Sequence, residues 1–238
     1  MRKGITGIIT GAGSGIGQGA AIEFGRTGCN VVLVGRRAEA CDRVAELVED
    51  VGGKALVQAG DIRDGKRLQE MAKATQERFG RIDFLVANAG ITYQSSIVDG
   101  DPEKWRAVIE TNVLGTMLSV QAVVPYMLDQ GGGHLFIVSS ISGRVAHVGE
   151  PAYVASKFAG VGLGHALRME LESENIRVTI VEPGLVETPI LQGNPRVPEI
   201  LERVTPLTPT DIARSMVFAF QQPPHVAVNE IAIRPMGQ

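Results

Sequence analysis

A glycine-rich turn near the start of the chain constrains its fold more than any other feature. An apolar run, Ile5–Ile9, leads into Gly11-Ala12-Gly13-Ser14-Gly15-Ile16-Gly17, and a helical pattern then continues to Arg26. Glycines between a parallel strand and a helix let the backbone approach a pyrophosphate, to which the helix N-terminus offers its N–H groups. The spacing departs from the common Gly-x-Gly-x-x-Gly pattern, so a plain tight turn is the alternative. The position after the first strand favours a dinucleotide site.

Short β-branched runs alternate with longer amphipathic segments along the rest of the chain. The predicted strands are Ile5–Ile9, Asn30–Gly35, Lys54–Gln58, Ile82–Ala87, His134–Ser139, Ile176–Val181 and Asn229–Ile233. The predicted helices are the one ending at Arg26, then Ala38–Val51, Gly65–Phe79, Pro102–Leu128, Pro151–Glu174 and Pro209–Phe220. Asp101 is a good N-cap for the long helix that starts at Pro102. This alternation predicts right-handed βαβ units and an α/β fold, with a parallel sheet between two layers of helices.

Composition limits the number of domains and the classes of function. The 238 residues show no compositional break or repeat, so one domain over 1–238 is expected. A net charge of −3 offers no basic surface for nucleic acid. The apolar run near the start of the chain is too short for a signal peptide or membrane span, and two cysteines make no disulfide framework. We therefore expect a cytoplasmic protein that does not bind membranes. Its histidines lack the spacing of metal ligands, so we expect no metal site.

One stretch interrupts the strand–helix pattern. Six of the 12 prolines fall from Pro183 to Pro209. A proline-rich segment inside a compact domain is typical of a functional lid, so a substrate lid is predicted at 184–208; an ordinary exposed loop is the alternative. The segment is apolar and carries few charges before Arg196, which suggests a largely apolar substrate.

The end of the second predicted strand indicates which dinucleotide the turn would bind. An acidic side chain there would accept hydrogen bonds from a ribose 2′-hydroxyl and repel a 2′-phosphate. This chain instead has Gly35 followed by Arg36 and Arg37, and guanidinium groups suit a phosphate. The sequence therefore predicts NADP(H), with NAD(H) as the second choice. The alternative is that both arginines are solvated residues at the start of a helix.

A tyrosine and a lysine in a predicted helix supply acid–base chemistry. Tyr153 and Lys157 stand four residues apart, with Ser140 thirteen residues upstream of the tyrosine. Four residues turn a helix through about 400°, so the tyrosine and lysine project from one face. A phenol has an ordinary pKa of about 10, and an ammonium beside it favours the phenolate and lowers that pKa. With Ser140 holding a substrate oxygen, this set predicts proton transfer to or from an alcohol near neutral pH.

Taken with the glycine turn, these residues resemble the short-chain dehydrogenases/reductases, in that family's compact single-domain branch, over nearly the whole chain. The matching motifs are Thr10-Gly11-x3-Gly15-Ile16-Gly17, Asp61-Ile62, Asn88-Ala89-Gly90, the set Asn112, Ser140, Tyr153 and Lys157, and Pro183-Gly184 with Val186 and Thr188. By this resemblance, Asp61-Ile62 would flank the adenine and Pro183–Thr188 would hold the nicotinamide. Asn88-Ala89-Gly90 would stabilise the sheet beside the cofactor. One departure is Ser14, where some NADP-using members carry a basic residue.

The resemblance also implies an architecture and a mechanism. It implies a doubly wound, seven-stranded sheet in the order 3-2-1-4-5-6-7, and a homotetramer or homodimer built on two long helices. Tyr153 would transfer the proton, Lys157 would depress the pKa of Tyr153 and bind the nicotinamide ribose, and Ser140 would orient the substrate. Asn112 would act indirectly, by bending the long helix.

The predicted function is that of an NADP(H)-dependent oxidoreductase acting on a small-molecule carbonyl or secondary alcohol. Substrate contacts are predicted at Ser140, Ser142, His147 and Tyr153, with Glu150 among further candidates. Arg144 is interpreted preferably as a structural arginine paired with an acidic neighbour, and otherwise as a reader of a substrate carboxylate. Three functional alternatives stay open: an NAD(H)-dependent dehydrogenase, an epimerase or dehydratase, and a dinucleotide-sensing regulator without turnover.

Overall fold

The structure, a computed structural model, describes residues 4–194 and 197–238, so the predictions for the first three residues and for Arg196 fall outside the described residues. All seven predicted strands form, β2 with the predicted bounds and the others with at least one end shifted by one or two residues. They are β1 Thr6–Thr10, β2 Asn30–Gly35, β3 Lys54–Ala59, β4 Phe84–Ala87, β5 Gly133–Val138, β6 Ile176–Pro183 and β7 Glu230–Ile233.

The helices follow the strands in the predicted alternation. They are α1 Gly15–Arg26, α2 Ala38–Asp50, α3 Gly65–Phe79, α4 Pro102–Ile109, α5 Gly115–Asp129, α6 Pro151–Leu171, α7 Val197–Leu201 and α8 Pro209–Phe220. Short 3₁₀ turns occupy Ile141–Gly143, Glu172–Glu174 and Pro189–Leu191. The segment predicted as a lid therefore contains a 3₁₀ turn and α7, neither of which its proline content indicates.

The sheet is parallel throughout, in the order β3-β2-β1-β4-β5-β6-β7, which confirms the predicted doubly wound fold. The chain leaves β3 at one edge and returns as β4 on the other side of β1, where Ile9 pairs with Val86. At this switch point the connections after the two strands diverge to opposite faces and leave a crevice at their carboxyl ends. The sequence places Gly11 after β1 and Asn88 after β4, so both lie at the crevice.

Two apolar clusters, one on each face, bury the sheet between helix layers. One contains Phe24 of α1 with Phe84 and Phe136 of the sheet, and the other contains Met71 of α3 with Met127 of α5. The rings of Phe24 and Phe84 stack with centroids 4.1 Å apart. A Cβ at Gly7 would lie 2.0 Å from the ring of Phe84, so this position in β1 accepts only glycine.

The long helix predicted over Pro102–Leu128 is broken by a π-helical turn, Glu110–Leu114, between α4 and α5. Its start is as predicted, since the Asp101 side chain accepts a hydrogen bond from the N–H of Glu103. The π turn contains Asn112, whose side chain bonds the backbone of Ile91 in both directions, at 2.8 and 2.9 Å. A π turn inserts one extra residue and is often found at functional sites. The extra residue is favoured here because Asn112 is held by a connection from another part of the fold.

The stretch Pro102–Asp129 is also the one described helix that is long and apolar enough to cross a bilayer by length and composition. Within the fold, 44% of its most apolar window is buried. It packs against α3 and α6, as a core helix of a globular protein does. Packing within the fold therefore accounts for part of its hydropathy.

Candidate active site

A cavity of about 1270 Å³ opens at the carboxyl ends of the central strands. One part of it, here called the glycine end, is lined by Gly11, Gly13–Ile16, Gly35–Arg37 and Asn88–Gly90. The other part, the tyrosine end, is lined by Thr92, Ser140–Ser142, His147, Glu150, Tyr153, Leu185, Val186 and Thr188–Leu191. The cavity therefore brings together most residues that the sequence predicts for cofactor and substrate.

The glycine end is built from closely packed backbone. A Cβ at Gly17 would lie 2.3 Å from the carbonyl oxygen of Gly11, and one at Gly11 would lie 2.9 Å from the Cα of Ala89. Gly11 and Gly15 also have φ values of +66° and +55°, which favour glycine. Because side chains are absent, the N-terminus of α1 stands open to the cavity, with no acidic residue in its first turn and no capping bond from Ser14. This surface fits a pyrophosphate.

Asn88 holds the two sides of the crevice together, as its predicted role requires. Its side-chain amide donates to the carbonyl oxygens of Thr10, at 3.0 Å, and Gly11, at 3.4 Å. The hydroxyl of Thr10 in turn accepts hydrogen bonds from the N–H groups of Asn88 and Ala89, at 3.0 and 3.1 Å. These bonds fix the turn after β1 against the turn after β4, so the backbone at the glycine end is rigid before any ligand binds.

Arg36 and Arg37 follow β2 and line the cavity as exposed side chains. Asp61 and Ile62 follow β3 and line it beside them. The carboxylate of Asp61 is bound by Arg63, with an Nη2–Oδ2 distance of 2.6 Å, and this hydrogen bond lowers the pKa of Asp61 below its ordinary value. Since Arg63 compensates that negative charge, the two arginines dominate the electrostatics at this corner.

Ser140 and Tyr153 meet at the tyrosine end. Ser140 lies two residues beyond β5 and caps the following 3₁₀ turn, where its Oγ accepts a hydrogen bond from the N–H of Ser142 at 3.1 Å. Burial raises the pKa of Tyr153 to about 12, a hydrogen bond with Ser140 lowers it and the charge of Glu150 raises it. The predicted depression of this pKa is therefore not present without a ligand, because burial outweighs the hydrogen bond.

Lys157 lies one turn beyond Tyr153 on the same face of α6, as predicted, with its Nζ 5.4 Å from the centre of the tyrosine ring. The Nζ donates a hydrogen bond to the carbonyl oxygen of Val138 at 3.1 Å. Burial lowers the pKa of Lys157 to about 8. The ammonium is thus held near the phenol, but it is bound to the end of β5 and not to the phenol oxygen.

Asn112 lies behind these residues and outside the cavity lining. Besides its bonds to Ile91, its amide donates to the Oγ of Ser156 at 3.0 Å. Ser156 precedes Lys157 in α6, so Asn112 links the π turn, the segment after β4 and the helix that carries Tyr153. The structure places Asn112 as a connector of three segments, consistent with the indirect role that the resemblance implies.

The loop after β6 closes the cavity. Pro183, Gly184, Val186 and Thr188 all line it, and a Cβ at Gly15 would lie 3.0 Å from the Cγ2 of Thr188. The sequence did not indicate that Gln238 contributes here. Its side-chain oxygen accepts a hydrogen bond from the N–H of Leu185 at 2.9 Å, although 53 residues separate them. No motif surrounds Gln238, so only the fold brings it to the loop.

The predicted substrate residues Ser142 and His147 bond each other, Oγ to Nε2, at 3.1 Å. Glu150, buried beside them, accepts a hydrogen bond from the hydroxyl of Thr92 at 2.6 Å. Thr92 was not predicted, although it stands two residues after the Asn88-Ala89-Gly90 motif. Arg144 points away to Glu182, with Nε–Oε distances of 2.7 Å, and to Glu230, as the structural interpretation predicts.

The residues present fit a nicotinamide dinucleotide. The glycine end offers backbone N–H groups and two arginines to a pyrophosphate and ribose phosphate, while the tyrosine end offers hydroxyl groups and an ammonium to a reacting oxygen. Across residues 4–194 and 197–238, no three His, Cys, Asp or Glu side chains cluster as a metal site would require. The arrangement can therefore hold a dinucleotide at one end and move a proton at the other.

Comparison with known proteins gives the same result. The family profile for short chain dehydrogenase matches residues 6–197. An uncharacterized oxidoreductase of Staphylococcus saprophyticus is 38% identical over 231 residues, or 96% of each chain. A glycine betaine reductase of Emericella nidulans is 35% identical over 99% of this chain, which spans 19% of that longer protein.

A solved structure is similar over almost its whole length. Carveol dehydrogenase from Mycobacterium avium, in complex with NAD, superimposes with a TM-score of 0.90 at 25% identity, covering 98% of this chain and 96% of that one. The profile match, the Staphylococcus relative and the sheet order agree. The chain belongs to the short-chain dehydrogenase/reductase family of oxidoreductases.

Proposed function

We propose that this protein is an NADP(H)-dependent oxidoreductase that interconverts a small-molecule carbonyl and a secondary alcohol, with Tyr153 as general acid and base. One observation supports this most. The hydrogen-bonded hydroxyls of Ser140 and Tyr153, with Lys157 one turn away, lie in the same cavity as the glycine end. A dinucleotide sensor without turnover would not need these three groups beside the cofactor site. No feature of the site favours an epimerase or dehydratase over an oxidoreductase.

The proposed mechanism assigns each side chain a task. When bound, the nicotinamide supplies a hydride to the carbonyl carbon or accepts one from the alcohol. Tyr153 donates its proton to the carbonyl oxygen in reduction and takes it back in oxidation. Ser140, fixed by the N–H of Ser142, orients that oxygen and stabilises the negative charge that develops on it. Lys157, released from Val138, binds the ribose and stabilises the phenolate of Tyr153.

The preference for NADP(H) rests on Arg36 and Arg37. Both are exposed at the end of β2, where no acidic residue stands to accept a ribose 2′-hydroxyl, and Asp61 is already bound by Arg63. The carveol dehydrogenase relative, which was solved with NAD, keeps NAD(H) as the second candidate. A 2′-phosphate would give the two guanidinium groups a charge-assisted partner that NAD(H) lacks.

We also propose an assembly and a location for the protein. Helices α4, α5 and α6 with the π turn expose apolar side chains, among them Ile109, Leu114, Met117 and Phe158, which a homodimer or homotetramer would cover. Both cysteines are buried thiols, which suits the reducing cytoplasm.

Parallel titrations with NADPH and NADH, followed by nicotinamide fluorescence, test the cofactor. We expect tighter binding of NADPH, and we expect Arg36→Ala with Arg37→Ala to weaken it by about 10- to 100-fold while NADH binding stays within about threefold. Arg43→Ala, an exposed arginine of α2, is the matched control. A preference for NADH in the wild type would leave the dehydrogenase proposal intact and remove the role of the arginines.

Replacing Tyr153 by Phe tests the chemistry. The variant should bind cofactor normally and reduce carbonyl compounds at least about 100-fold more slowly, because no proton donor remains. Turnover is measured from NADPH absorbance over a panel of ketones and aldehydes. A Phe variant with the wild-type rate would exclude Tyr153 from the mechanism.

A further inference from the structure

Glu150 is a buried carboxylate that neither the proposed mechanism nor the helix requires. It precedes α6 as its N-cap residue, but its side chain makes no capping hydrogen bond. It is 9% exposed and lines the cavity three residues before Tyr153. A side-chain oxygen at an N-cap normally bonds the first N–H groups of the helix. Here the carboxylate reaches instead to Thr92, across the tyrosine end.

The contacts of Glu150 leave much of its charge uncompensated. Thr92 donates one neutral hydrogen bond to Oε1, at 2.6 Å. Among described residues, the basic group within 4.0 Å is His147, whose Nε2 is 3.8 Å from Oε2. A carboxylate has about four acceptor positions, and a buried one is unfavourable unless it is paired or well hydrogen-bonded. Glu150 lines the cavity in which a substrate would lie.

His147, the basic neighbour of this carboxylate, has two other partners within hydrogen-bond distance. Its Nδ1 lies 3.3 Å from the carbonyl oxygen of Val148, and its Nε2 lies 3.1 Å from the Oγ of Ser142. The neutral tautomer with hydrogen on Nδ1 satisfies both contacts, donating to Val148 and accepting from Ser142. In that state the imidazole carries no charge, and Glu150 has no cation beside it.

We propose that Glu150, held in place by Thr92, recognises a cationic substituent, so that the preferred substrate is a carbonyl compound or alcohol that carries an ammonium group. The inference rests on the proposed function and adds the chemical class of its substrate. The ammonium would supply the positive charge that the buried carboxylate lacks, while the carbonyl meets Ser140 and Tyr153 on the same wall. Leu185 and other apolar side chains of the tyrosine end would contact the carbon skeleton.

A set of three methyl ketones tests charge alone. The cationic one is (2-oxopropyl)trimethylammonium, the neutral one is 4,4-dimethylpentan-2-one, in which carbon replaces nitrogen, and the anionic one is 4-oxopentanoate. Dissociation constants are measured by calorimetry on the NADPH-saturated and the cofactor-free protein, and kcat/KM from NADPH absorbance. We expect the wild type to bind the cation at least about tenfold more tightly than its neutral isostere, because the carboxylate attracts the positive charge although the quaternary nitrogen has no N–H to donate.

Variants identify the group responsible. Glu150→Gln should reduce the preference to about twofold or less, and Thr92→Val should weaken it while keeping the charge of Glu150. Glu172→Gln removes an exposed carboxylate just beyond the other end of α6 and should retain the full preference. Thermal unfolding and NADPH binding confirm that each variant is folded, and Thr92→Val provides an independent test if Glu150→Gln is not.

Several results would overturn the inference. These are equal binding of the cation and its isostere by the wild type, tighter binding of the anion, a preference that survives in Glu150→Gln, or no binding of the cation at millimolar concentration. Reduction of the neutral ketone that equals or exceeds that of the cation would overturn it while supporting the oxidoreductase. Selective binding of the cation without any turnover would support recognition by Glu150 and contradict the proposed function.

Discussion

At the glycine end of the cavity the wall is mainly backbone, whereas at the tyrosine end it is mainly side chains. Gly11 and Gly17 leave no room for a Cβ, and Asn88 ties their turn to the neighbouring strand. At the other end, Thr92 and Glu150 meet only because α6 packs beside the segment after β4. A surface of backbone can bind the part that all dinucleotides share. A surface of side chains can change its specificity by substitution.

The largest expected effect is on cofactor affinity, from a variant that distorts the turn at the glycine end. Gly17→Ala places a Cβ 2.3 Å from the carbonyl oxygen of Gly11, so the turn must move. The N–H groups of α1 would then no longer point at the pyrophosphate. We expect cofactor affinity to fall by at least about 100-fold, measured by fluorescence titration. Gly162→Ala is the control, since no atom lies within 4 Å of its Cβ position in α6, and it should stabilise the helix by up to about 1 kcal/mol. Normal cofactor binding by Gly17→Ala would show that the turn tolerates a side chain.

A second variant weakens the support of the tyrosine end. Arg144 follows the 3₁₀ turn that Ser140 caps. Its guanidinium pairs with the carboxylate of Glu182, which is fully buried. Arg144→Ala leaves a buried carboxylate without its cation, and we expect the free energy of unfolding to fall by about 3 kcal/mol. In a chain of this length the melting temperature would fall by roughly 6–12 °C.

The matched control for Arg144 is Lys73→Ala, which breaks an exposed pair with Glu77 in α3 and should change stability by less than about 1 kcal/mol. Equal melting temperatures for the two alanine variants would mean that the ion pair of Arg144 adds nothing to stability. Glu182 would then have to be neutral or otherwise bonded.

A third prediction concerns pH. Burial lowers the pKa of Lys157 from 10.5 to about 8, so the folded protein releases this proton before the unfolded chain does. Stability of the cofactor-free protein should therefore rise between pH 8 and 10.5, and the buried charge should cost stability in full below pH 8. Lys157→Met removes that cost and should raise the free energy of unfolding at pH 7 by about 2 kcal/mol, while abolishing turnover.

Urea unfolding at pH 7 and at pH 10 measures this effect, with the exposed Lys66→Met as control. The stabilisation should shrink at the higher pH, because Lys157 in the wild type is then neutral. If Lys157→Met is less stable than the wild type at pH 7, the hydrogen bond from Lys157 to Val138 stabilises the fold by more than the buried charge destabilises it.

The smallest expected effect tests whether the loop after β6 serves the tyrosine end or the glycine end of the cavity. Gln238→Ala removes one neutral hydrogen bond to the N–H of Leu185, in the loop that closes the cavity. We expect KM for the carbonyl substrate to rise by about two- to tenfold, with cofactor affinity unchanged. Gln121→Ala, an exposed glutamine of α5, is the control and should leave both unchanged. A larger effect on cofactor than on substrate would assign Gln238 to the glycine end.

The fold was predictable because its signals are local. Strand–helix alternation predicted a parallel sheet between helix layers, the family resemblance implied the strand order, and Asp101 predicted the start of α4. The π turn at Glu110–Leu114 was not predictable from its own residues, since it depends on the bonds between Asn112 and Ile91. Helix α7 was likewise missed, because prolines around it suggested irregular structure.

The site was predictable where residues act through their chemical type, and less so where they act through their surroundings. Tyr153, Lys157 and Ser140 were found from spacing. The partners Thr92 and Gln238 were not, because each reaches the cavity from a segment more than 50 residues from its hydrogen-bond partner.

The sequence alone determined where the backbone must be glycine, where the strands and helices alternate and which face of α6 carries the acid–base pair. These follow from sterics and helix geometry within short segments. Tertiary structure alone decided the ionisation of that pair: burial raises the pKa of Tyr153 and lowers that of Lys157, and only packing determines burial. It also decided which carboxylates are compensated, since Glu182 meets Arg144 while Glu150 meets a threonine and the open cavity.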